Sequence, residues 1–119
     1  MNGYKNLMTA VLAQQLTDYI KAVKVGRLGF SKEYEKELAI MRRARDKDLS
    51  PRQRRYKKTM TRGEEAKYYI FADSKESENY VFGFKFICTY IGLDPERFRQ
   101  KIKEKREEFW KDIYGKKIR

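Results

Sequence analysis

The sequence predicts an all-α fold, a small single-domain helical bundle of five to six helices containing a helix-turn-helix-like unit. Three observations predict it. Apolar residues recur at three- and four-residue steps along most of the chain. Two Pro and seven Gly in 119 residues are too few to turn the many short strands of an all-β protein. Finally, Gly92-Leu93-Asp94-Pro95 reads as a helix stop followed at once by a helix start. A chain of this length is expected to fold as one domain, residues 1–119, with enough core to need no covalent staple.

Asn6 to Lys24 is the clearest amphipathic helix. Met8, Val11, Leu12, Leu16, Tyr19, Ile20 and Val23 share a face, while Gln14, Gln15, Asp18, Lys21 and Lys24 point elsewhere. This face fits the protein's own core, or a homodimer seam if it extends beyond one core. Two glycines, Gly26 and Gly29, break the pattern. Ser31 suits the cap of a second helix running to about Arg45, with Glu33, Glu35 and Glu37 at its positive end and Arg42, Arg43 and Arg45 at the other. Tyr34, Leu38 and Met41 form its apolar face, with Ile40 beside them.

Ser50-Pro51 opens a third, short helix expected to end near Thr59, with Tyr56 and Met60 as its anchors. Thr61 and Glu64 have the spacing of a capping box and predict a fresh start, with Ala66, Tyr69 and Ile70 buried and Tyr68 and Phe71 widening the face. Asp73 to Asn79 is polar throughout and reads as a loop. Within residues 82–103, Ile87, Cys88 and Ile91 face inward. Gly92 closes that helix, and Asp94 caps the next with Pro95 at its first position. The last helix is expected over residues 95–114, with Phe98, Ile102, Phe109 and Ile113 inward and Glu104, Glu107 and Glu108 outward. Cys88, Gly92, Phe98 and Ile102 stand at the offsets a helix-turn-helix needs for its contact, turn and anchors.

The formal charge of +12 is the strongest functional signal. It points to an anionic partner, with nucleic acid first. The surplus is concentrated in residues 42–67, where eleven basic residues face four acidic ones. Arg52, Arg54, Arg55, Lys57, Lys58 and Arg62 are the expected phosphate contacts. Arg97, Gln100 and Lys103, which project roughly away from Phe98, are the expected groove contacts together with Arg99, because Arg and Gln match guanine and adenine edges. Double-stranded DNA is favoured over RNA. An RNA mode would use the basic arm with Tyr56 stacking on a base. A protein partner such as RNA polymerase is the remaining alternative, suited by the acids of the last helix.

Other classes are disfavoured. The chain has no histidine and one cysteine, which removes histidine-based proton shuttles, His-activated nucleophiles, internal disulfides and thiolate zinc clusters. The carboxylates of Glu64-Glu65 and of residues 73–79 match no metal-nuclease frame, so no enzyme, metal or cofactor is expected. No apolar run approaches about 20 residues and no signal pattern opens the chain, so the expectation is a cytoplasmic protein without a membrane partner.

Phe84, Phe86, Ile87 and Cys88, leading into Gly92, Leu93, Asp94 and Pro95 after an aromatic-rich helix and a polar loop, form a recognisable run. It resembles a segment of small, largely uncharacterised bacterial and phage-type proteins. The resemblance implies a helix-turn-helix-like module and a role in transcription or nucleic-acid handling. It does not extend to the basic segment before Arg62.

Overall fold

A computed structural model describes residues 2–28, 32–72 and 83–110. The described residues form five α-helices and no strand: α1 (Asn2–Gly26), α2 (Tyr34–Arg43), α3 (Pro51–Phe71), α4 (Phe84–Tyr90) and α5 (Pro95–Trp110), with a 3-10 turn at Asp46–Asp48 between α2 and α3. No helix among them is long and apolar enough to cross a membrane. The expectations for Ser31, for residues 73–82 and for the chain beyond 110 lie outside the described residues. So do those for the side chains of Glu107, Glu108 and Phe109.

The predicted stripe of α1 is the spine of the core. Met8, Leu12, Tyr19 and Val23 are buried, with Val11 and Leu16 packed at the margin. Against them lie Leu38 of α2, Met60, Ala66 and Ile70 of α3, Phe84, Ile87 and Cys88 of α4, and Ile102 of α5. Ile40 and Tyr68, expected beside apolar faces, are instead largely exposed.

The closest crossing is that of α1 on α3. A Cβ at Gly63 would overlap the Ala22 methyl and approach Leu28 Cδ2 to 3.3 Å, so the two helices meet backbone to backbone there. Gly63→Ala is therefore expected to destabilise. Overpacking costs about 1–3 kcal/mol, which outweighs the roughly 1 kcal/mol gained in helix propensity. The denaturant midpoint should fall, and a rise would show that the helices have room to separate.

One expected break is absent. The helix that begins at Ser50-Pro51 runs through Thr59 and Thr61 without interruption to Phe71. Tyr56, Met60, Gly63, Ala66 and Ile70 continue one stripe at helical spacing, so burial against α1 supports both halves together. Thr61 and Glu64 do not form a capping box. Both accept from Arg42 of α2, at 3.3 and 3.1 Å. The box lies at the start of α3 instead, where Gln53 N–H donates to Ser50 Oγ at 3.1 Å and Ser50 N–H donates to Gln53 Oε1 at 2.8 Å.

Candidate nucleic-acid interface

The basic face of α3 divides by what each cation already touches. Arg54 Nε donates to the Leu49 carbonyl at 3.2 Å, and Lys57 Nζ pairs with Asp46 at 3.0 Å, so both fasten the 3-10 turn to α3. The first is a partly buried bond to a backbone carbonyl, and in the second Asp46 is mostly exposed while Lys57 is not, so neither cation is a freely extended surface charge. Arg52 is exposed on the first turn. Arg55, Lys58 and Arg62 lie along one flank, spaced over two turns, and none has an ion-pair partner among the described residues.

These three cations line a cleft of about 210 Å³ between α1 and α3, together with Thr59, Lys21 and Asp18. The sequence places Lys21 and Asp18 only on the outer side of α1. What brings them to the cleft is the Ala22–Gly63 crossing, which sets the register of the two helices and puts the residues around Ala22 opposite those around Gly63. A glycine inside a helix of high charge, paired with an alanine in the facing stripe, is the signal that could have found them. The cleft holds four cations and one carboxylate.

Tyr56, the residue expected to stack on RNA bases, packs against the core instead and lines a separate cavity of about 170 Å³ with Tyr34, Glu33 and Glu37. Burial first, and then Glu37, push its hydroxyl above the usual tyrosine range. Its ring is no free stacking platform.

The α4–α5 junction follows local rules closely. Gly92 takes φ +85°, and the carbonyls at the end of α4 are satisfied by Leu93 N–H on Cys88 O at 2.7 Å and Gly92 N–H on Thr89 O at 3.2 Å. Asp94 Oδ1 then accepts from the N–H of Glu96 at 3.1 Å, capping α5 with Pro95 at its first position. Phe84 and Phe98 rings pack 5.9 Å apart, and Ile102 is buried in the same core. Burial raises the Cys88 thiol to about 11, partly opposed by Arg99, which keeps it protonated and inert as a small core residue.

The four expected groove residues separate here. Arg97 and Gln100 are exposed, and at 100° per residue they share the outer crest of α5 with Glu104. Lys103 is exposed but leans inward, its ammonium 5.7 Å from the centre of the Phe71 ring. Arg99 is corrected outright: it is only 6% exposed and cannot reach a groove. Its Nε donates to the Ile70 carbonyl at 2.6 Å, one terminal nitrogen pairs with Glu96 at 2.8 Å, and its guanidinium lies 5.2 Å from the centre of the Phe84 ring. The Ile70 carbonyl is one of the orphan acceptors at the end of α3, so Arg99 fills a vacancy that the end of the helix creates.

A scan against protein-family models finds no match. Searches of curated proteins and of solved structures likewise return none. The functional reading therefore rests on these residues alone.

Proposed function

We propose that the protein binds nucleic acid, gripping the sugar–phosphate backbone in the α1–α3 cleft and along the adjoining face of α3. The observation that supports this most is the convergence of Lys21, Arg55, Lys58 and Arg62 on one concave site in a chain of charge +12. Like charges brought together repel one another unless an anion lies between them, and phosphate is the anion a polymer supplies in series. Lys57 extends the track by exchanging the exposed Asp46 carboxylate for phosphate, while Arg54 stays on the Leu49 carbonyl and adds its charge from there.

On duplex DNA, α4 and α5 serve as the helix-turn-helix of a bacterial or phage-type regulator. Arg97 and Gln100 then read base edges from the crest of α5. Glu104 on the same crest limits that contact to the first turns of the helix. Fluorescence anisotropy on random duplex DNA and on an RNA hairpin, titrated with salt, tests the reading. Affinity should fall steeply and log-linearly with salt. Absence of binding to either at low salt sinks it.

A second reading has one observation in its favour. Phe86 and Tyr90 are stacked on each other, 6.4 Å apart, and with Leu93 they leave an aromatic strip exposed beside the turn. Such a strip suits docking on a protein such as RNA polymerase. Binding to a purified polymerase that survives nuclease treatment, with no affinity for free nucleic acid, is the result expected under that reading.

A further inference from the structure

We infer that the α1–α3 cleft takes a ribonucleotide step, with the phosphate held by the cations and the ribose 2′-hydroxyl accepted by Asp18, so that the chain selects RNA over DNA of the same sequence. The inference rests on the nucleic-acid reading above and adds the identity of the sugar.

Its basis is the one residue that a pure phosphate site would not contain. Asp18 lines the cleft with Lys21, Arg55, Lys58, Thr59 and Arg62. A carboxylate there repels a phosphate, and four cations line the same cleft with which it could pair. It does not: no ion pair among the described residues includes Asp18. Its hydrogen bond comes from the amide of Gln14, one turn earlier on α1, which donates to Oδ1 at 3.0 Å. That bond engages Oδ1, so Asp18 keeps acceptor capacity at Oδ2 while the other charged groups that line the cleft are donors.

A ligand matching this arrangement carries an anion and, close beside it, a hydroxyl that donates. Ribose supplies the pair, since its 2′-hydroxyl adjoins the 3′-phosphate, while deoxyribose has nothing to offer Asp18. The size agrees. At about 210 Å³ the cleft is smaller than the roughly 300–1,000 Å³ of a small-molecule pocket, which suits a phosphate and a sugar edge but no enclosed base. The cleft therefore tests the backbone and leaves base sequence unread.

The test uses the full chain and one sequence prepared as RNA, as DNA and as 2′-O-methyl RNA, each as a single strand and as a hairpin, by anisotropy at fixed salt. RNA should bind about tenfold more tightly than either analogue, the scale of one hydrogen bond to a charged group. Asp18→Ala should weaken RNA binding and tighten DNA binding, because the acceptor and the repulsive charge leave together, and the ratio should approach one. Asp18 is half-buried and its hydrogen bond is to the preceding turn of its own helix, so the substitution should leave the circular dichroism unchanged. Equal binding of RNA and DNA by the native chain, or a preference for RNA that survives Asp18→Ala, overturns the inference while the nucleic-acid reading stands. Binding to none of the strands removes both.

Discussion

Arg99→Ala is expected to lower the unfolding free energy by about 2–4 kcal/mol, a large fraction of the total for a domain of this size. The loss has three sources. The Ile70 carbonyl at the end of α3 loses its donor in a buried place, and an unsatisfied buried acceptor alone costs about 1–3 kcal/mol. The face of Phe84 loses its cation. The aliphatic stem of the arginine leaves a gap between α3 and α5. Glu96 adds little, since it is mostly exposed and returns to water. Arg99→Lys should recover less than half, because one ammonium cannot hold the carbonyl, the carboxylate and the ring in the geometry of a planar fork. Urea unfolding of the three proteins gives the comparison. Affinity for nucleic acid, measured on the folded protein, should be unchanged. A loss below about 0.5 kcal/mol, the size of an ordinary surface substitution, or a selective loss of binding, would return Arg99 to the groove.

Arg99 also marks where sequence reasoning gives out. The α1 stripe, the Ser50-Pro51 start, the left-handed Gly92 and the Asp94 cap were all legible, because each follows from backbone rules spanning a few residues. The fold class follows from the same rules. Two other features are set by packing between distant segments. The pattern around Thr61 and Glu64 satisfies a local capping rule, yet Arg42, nineteen and twenty-two residues away, takes both side chains while the buried stripe carries the helix through. The cleft depends on the register of α1 against α3, which is set between the segments, where Gly63 meets Ala22 and Gly26 meets the Met60 side chain. For Arg99 a clue existed, since Phe98, Arg99 and Ile102 lie within one arc of the helical wheel. Charge argued for the outside, and the carbonyl that outweighed it belongs to another helix.

The largest effect on function is expected from neutralising the cleft. Arg55→Ala, Lys58→Ala and Arg62→Ala combined should weaken binding on the order of 10²-fold near 0.1 M salt and lower the salt slope by about 2–3, close to 0.9 for each phosphate left without its cation on duplex DNA. Stability should move the other way. The three cations repel one another at three-, four- and seven-residue spacing, and none of them is ion-paired among the described residues. Removing them should therefore add a few tenths of a kcal/mol. Opposite signs in the two measurements separate a binding surface from a structural one. A control is needed, because any loss of three charges weakens a polyanion complex to some degree. Arg43→Ala, Lys47→Ala and Lys67→Ala remove the same charge from exposed positions that do not line the cleft. If the cleft organises the binding, the control triple should lose under about a tenth as much affinity and keep most of the slope. Equal losses from both triples would mean that the polyanion responds to net charge alone, and the cleft would then have no special part in binding.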